Sequence, residues 1–270
     1  MDISSTSSSG GGAIPTYEKL DDIITILGST KTTFWPFVEN VSGIDTTGIE
    51  SYRETSTWLV SKDASGNKEL QLDFSPYRHV GGVHSYTFNS ASSNYLAGQD
   101  NTNLSFPANE ACSFGCWIYF RDVSTVTMIA KYVANGNQEY KLALDSSNHI
   151  ELEVFDEGAG ASRIGASDTV LVANTWQMVT VTFDGADDDT SMTFYLDGVV
   201  DGTGNTETGS WDNMDDTAAT INIGAHYSSG TTAADEISGR LAMPFVCGKE
   251  LTATNVSDLY TLGVLLLGVS

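Results

Sequence analysis

"WQMVTVTFDGADDDTSMTFYLDGVV", residues 176–200, alternates polar and apolar residues, turns through an acidic loop, alternates again and ends in Asp197-Gly198. Period-two alternation lines one face of a strand with apolar side chains. The Asp-Gly pair suits a tight hairpin turn, where both central residues take positive φ. The same pattern recurs on either side. "TWLVS" (57–61), "ELQLDF" (69–74), "HSYTFN" (84–89), "CSFGCWIYF" (112–120), "TVTMIAKYV" (125–133), "EYKLALD" (139–145), "HIELEVFD" (149–156) and "ATINIGAHY" (219–227) are each strand-like, with Asn, Asp, Gly or Ser clusters between them. "LALDSSNHIELEV" predicts a second hairpin, turning through Ser146 to Asn148. About ten short strands with no helical pattern between them predict an antiparallel sandwich or barrel and argue against a parallel α/β sheet. No fixed internal period points to a solenoid or propeller.

Two helices flank this region. "PTYEKLDDIITILGS" (15–29) spaces Tyr17, Leu20, Ile23, Ile24 and Leu27 for one helical face, with Gly28 as the stop, a helix that either packs on its own domain or docks on a neighbouring subunit. "KELTATNVSDLYTLG" (249–263) predicts a short C-terminal helix capped by Thr252 or Thr254 and closed by Gly263, and "VLLLGVS" beyond it reads as a covered strand or subunit contact.

Composition narrows the function. Lys+Arg number 12 against Asp+Glu 35 among 270 residues, a formal charge of −23. Such a chain repels phosphate, so nucleic acid and anionic membrane surfaces are poor partners. Hydrophobic residues at 40% and aromatics at 10% still suffice for a core. Cys112, Cys116 and Cys247 are odd in number, which argues against a disulfide framework, and the first two share a strand face with Phe114 and Ile118 and read as small buried hydrophobes. The start of the chain, residues 1–13, is Ser/Gly-rich without the charge and apolar core of a signal peptide, and no apolar run is long enough to cross a bilayer.

In their order along the chain, these pieces resemble the laminin-G-like, concanavalin A-type jelly roll. "SYTFNSASSNYL" is similar to that family's opening strand, "CSFGCWIYF" to its tryptophan-bearing strand and "EYKLALDSSNHIELEV" to its hairpin. Residues 176–200 resemble the pair whose second strand ends in Tyr-x-Asp-Gly, and "ISGRLAMPFVCGKELTATNVSDLY" the closing strand and last helix. "FWPFVENVSGIDTTG" (34–48) resembles the first strand, which in such sandwiches lies beside the last. The resemblance implies an all-β antiparallel jelly-roll sandwich over 34–270 with an insertion at about 50–82, preceded by an arm and amphipathic helix over 1–33. One departure stands out. Where the family often carries an Asp-Glu pair, this chain has Gly239-Arg240-Leu241-Ala242-Met243, which removes carboxylates of a calcium site.

Three chemistries can be weighed on the residues. Glu151, Glu153 and Asp156 echo the carboxylate strand of jelly-roll glycoside hydrolases, whose retaining pairs sit about 5 Å apart. The order of residue types differs here, and an amphipathic strand with Leu152 and Val154 inward would look the same, so no catalytic residue is assigned. Asp187-Asp188-Asp189 and Asp212, Asp215 and Asp216 could offer oxygens to calcium, but their spacing matches no EF-hand loop, so no metal or other cofactor is expected. Trp211, His226 and Tyr227 flank loops where a sugar face could stack.

The expectation from sequence is a non-enzymatic virion structural protein: a capsid decoration, spike or fibre-associated subunit on the outer surface. Ile14, Tyr17, Leu20, Ile24 and Leu27 would anchor it to other virion proteins, such as the major capsid protein, or to copies of itself. A host-surface glycan is a candidate ligand, and a carbohydrate-binding adhesin or lectin module is the alternative, with a glycoside hydrolase third.

Overall fold

A computed structural model describes residues 16–28, 31–35, 49–50, 58–62, 76–78, 83–122 and 124–269. The chain begins with α1 (Thr16–Leu27), β1 (Thr32–Phe34), β2 (Ile49–Glu50), β3 (Trp58–Lys62), β4 (Pro76–Arg78), β5 (His84–Phe88) and β6 (Tyr95–Ala97). The long strands follow: β7 (Cys112–Phe120), β8 (Val126–Val133), β9 (Asn137–Leu144), β10 (His149–Asp156), β11 (Ala161–Val170) and β12 (Gln177–Phe183). Then come β13 (Met192–Leu196), β14 (Val199–Thr203), β15 (Thr206–Thr208), β16 (Ile221–Ile223), β17 (His226–Ser229), β18 (Thr232–Ala234), β19 (Gly239–Cys247) and α2 (Ala253–Leu267).

The strands form two sheets, the expected sandwich. The first runs β14-β13-β12-β7-β19-β5-β4, with β1 also on β19; Phe34 pairs with Phe245 there, and the rest of the 34–48 segment beyond Trp35 lies outside the described residues. The second runs β15-β11-β10-β9-β8-β16-β6-β3-β2, and the β17–β18 hairpin joins it at β8. Alternation assigns the faces. Cys112, Phe114, Cys116, Ile118 and Phe120 of β7 and Val179, Val181 and Phe183 of β12 meet Leu142, Ile150, Leu152 and Val154 of the second sheet in the main core. The cysteines are free and buried, as the spacing of the first two implied, and burial pushes the Cys247 thiol up to about 12.

A second core covers the outside of the first sheet. Trp117, Met178, Tyr195 and Phe245 pack there against Val256, Leu259 and Leu266 of α2 and Leu20, Ile23 and Leu27 of α1. This corrects the reading of α1 as a docking element. Leu20 and Leu27 are fully buried in their own domain and Ile24 is half-buried against the same cluster, so this stripe is not available to a partner. Fully burying each such side chain contributes about 1.5–3 kcal/mol to this fold. Ile14 and the side chain of Tyr17 lie outside the described residues, as do "ELQLDF" and most of the 50–82 insertion.

The C-terminal helix is also longer than expected. Thr252 caps it through a reciprocal box with Asn255, but the helix continues through Gly263 to Leu267 and closes at Gly268, which takes φ 67°. "VLLL" is therefore its last turn and no strand. Both hairpin turns form as read: Asp197 and Gly198 have φ 50° and 82°, and Asn148 has φ 67°.

Candidate functional site

A groove of about 500 Å³ opens at the β15 edge of the second sheet. Glu151 of β10, Ile164, Gly165 and Ala166 of β11, Asp189, and residues Thr203 to Thr206 line it. Glu151 and Ala166 are cross-strand partners, and Glu153 pairs with Ile164, so these side chains share the outer sheet face while Leu152 and Val154 point into the core. Glycine makes the close approach possible. A Cβ on Gly165 would lie 2.4 Å from the Gly204 carbonyl oxygen, so the β14–β15 connection can lie against β11 only with glycine at that position.

Arg163 holds the groove in shape. It lies two residues from Gly165 on the inward side of β11, with its side chain 1% exposed. One guanidinium nitrogen donates to the Asp188 carbonyl and to Asn205 Oδ1, each at 2.8 Å; the other donates to the Asp187 carboxylate and, at 2.8 Å, to Glu207. Asn205 in turn donates to Ser191 Oγ at 2.9 Å. One cation thus ties the 187–189 loop to the 203–207 segment, the two walls of the groove outside the sheet. A forked donor suits several oxygens at once, which a lysine could not match.

This arrangement places the acidic residues read from sequence. The Asp187–Asp189 run is the counter-charge of Arg163. Asp156, 4% exposed, accepts from the backbone N–H of Ala159 and Asp212, each at 2.9 Å, and so staples two loops. Asp215 accepts from the Gly158 N–H at 2.6 Å. Among the described residues no group of three or more His, Cys, Asp or Glu is placed to hold a metal ion. The three carboxylates of "ELEVFD" have separate roles: Asp156 is structural, Glu153 pairs with Lys141 at 3.4 Å, and Glu151 alone lines the groove. Burial raises the Glu151 carboxyl above its ordinary 4.5; Lys141 opposes this, and Glu153 adds to it.

The stacking trio is corrected by burial. Trp211 is 6% exposed, packed edge-on against Phe183 with the Arg163 guanidinium over its ring, so neither face is open to a sugar. Tyr227 is 5% exposed and edge-to-face with Tyr95, and His226, 7% exposed, lies against Tyr132 and Thr127. These residues sit in separate clusters, with Trp211 in the main core and Tyr227 in a small one beside it. Sequence singles out Glu151 and Asp189 separately but not Ile164 to Ala166 or Thr203 to Thr206, because the groove draws on four separated segments. A signal was present nonetheless. Arg163 is the lone Lys or Arg between Lys141 and Arg240, a single cation in a long acidic stretch.

Comparison with known proteins agrees with this architecture. Residues 88–257 match the family model described as the concanavalin A-like lectin/glucanases superfamily. No curated protein matches. Domain 4 of the GH43 extracellular arabinanase AbnA from Geobacillus stearothermophilus, solved in complex with arabinotriose, is 13% identical with a TM-score of 0.55, the match covering 84% of this chain and 97% of that one. A botulinum neurotoxin type C structure, reported for cell entry through two ganglioside molecules, is 12% identical with a TM-score of 0.59, covering 88% of this chain and 52% of that one. The binding domain of Paraclostridial Mosquitocidal Protein 1 is 13% identical with a TM-score of 0.58, covering 87% and 52%. The chain thus spans about half the length of the two toxin domains, and at these identities the likeness is one of fold.

Proposed function

The chain belongs to the concanavalin A-like lectin/glucanases superfamily, and from that membership we propose that it is a carbohydrate-binding module with no catalytic step of its own. The observation that carries this reading is the groove at the β15 edge, fixed in shape by the buried Arg163. Ligand sites are concave and largely pre-formed, with a few placed polar groups on a partly apolar wall. Here Ile164 and Ala166 supply the apolar wall, and Glu151, Asp189, Thr203 and Thr206 the polar groups. The similar domains described with arabinotriose, sialylT and gangliosides support a glycan ligand class. Hydrolysis is disfavoured because Glu153 and Asp156 are committed elsewhere, which leaves Glu151 without a partner carboxylate from its own strand.

The test is Ala166→Arg. Ala166 is exposed on β11, so the substitution leaves the core intact, and the long cation would lie along the groove between Glu151 and Asp189. Calorimetric titration with oligosaccharides bound by the wild type should show at least tenfold weaker binding with an unchanged melting temperature. Unchanged affinity would remove the groove from the proposal.

Display on the outside of a virion is a second reading of the same module, favoured by the net charge of −23, which keeps it apart from like particles in water. In that setting α1 would not be the attachment, since its apolar stripe is buried in the second core.

A further inference from the structure

We infer that the groove selects neutral, hydroxyl-rich glycans and rejects their sialylated or sulfated counterparts. This rests on the carbohydrate-binding reading and adds the ligand class to it. Among the described residues, no Lys or Arg lines the groove. Arg163, which braces the groove, is 1% exposed, and its two terminal nitrogens are spent on Asp187, Glu207, Asn205 and the Asp188 carbonyl. Lys141, on the neighbouring strand, is paired with Glu153 and lies over the Tyr132 ring.

What the groove offers instead is acceptors. Asp189 projects from one wall with its side chain 86% exposed, 3.9 Å from the Arg163 guanidinium, and Glu151 also lines the groove. The Asn205 amide has its oxygen on Arg163 and its nitrogen on Asp188 and Ser191, so it has little left to donate. Ionised carboxylates are acceptors only, so the complementary ligand brings hydroxyl donors and no negative charge. A sialyl or sulfate group would face two carboxylates whose neighbouring cations, Arg163 beside Asp189 and Lys141 near Glu151, are buried or paired elsewhere, and like charges set against each other exclude a ligand effectively.

The experiment uses matched pairs that share one neutral core, such as lactose with 3′-sialyllactose and galactose with galactose 6-sulfate, in a glycan array and by calorimetry on the full chain. In pairs whose neutral member binds, that member should bind at least tenfold more tightly at low salt. The gap should narrow as salt screens the repulsion. Asp189→Lys, at an exposed position, should narrow it further. Equal or tighter binding of the anionic members overturns the selectivity while leaving the carbohydrate-binding reading in place. Absence of binding to every neutral and anionic glycan overturns both.

Discussion

Lys131→Met should destabilise the fold by about 3–5 kcal/mol, the range for breaking a buried ion pair by removing one partner. The side chains of Lys131 and Glu139 are both 0% exposed and in direct contact. Lys131 Nζ also donates to the Thr217 carbonyl at 2.9 Å and meets Asp100 at 2.9 Å, so one cation holds β8, β9 and two loops at that end of the sandwich. Glu139 accepts from the Thr217 N–H at 2.7 Å and from its hydroxyl at 2.9 Å. Methionine preserves the stem but leaves the Glu139 charge buried, supported by Thr217 alone. Equilibrium denaturation measures the loss. The double variant Lys131→Met/Glu139→Gln should recover part of it, because no carboxylate charge then stays inside. A loss below about 1 kcal/mol would show a solvated pair.

The second large effect is expected at Gly263. In an ordinary helix interior, Gly→Ala gains about 1 kcal/mol. Here a Cβ would lie 2.2 Å from Trp117 Nε1 and 2.7 Å from Cε2. The indole has little room to retreat, being 3% exposed and stacked on Tyr260 at 5.4 Å. Gly263→Val should therefore cost about 3 kcal/mol, and Gly263→Ala should destabilise despite its better helix propensity. A stabilised alanine variant would mean that α2 does not sit on the β7 tryptophan as described.

These two residues also show where sequence was enough and where it was not. The alternating strands were legible because apolar residues recur at period-two spacing in β7, β10 and β12, even though only β10 leaves its other face partly open to water and helices cover that face of β7 and β12. β11 carries no strand signal in the sequence. Its sequence, ASRIGASDTV, carries the small and polar residues that edge packing against Gly204 and the β14–β15 connection requires, and these have weak β propensity. Gly263 was read as a stop because glycine ends helices more often than it seats them on a tryptophan, a contact visible only once α2 folds onto β7. Trp211 was assigned to a sugar because loops are usually exposed, whereas this loop folds inward, with Arg163 over the ring. The groove became readable only when β10, β11 and the 187–189 and 203–206 segments were brought together.

Carbohydrate binding in this groove is to be read by backbone amide NMR during titration with a neutral oligosaccharide. Shifts should concentrate at Glu151, Ile164 to Ala166, Asp189 and Thr203 to Thr206, and saturate with sugar concentration. Perturbations centred elsewhere, or none at about 10 mM sugar, would contradict it.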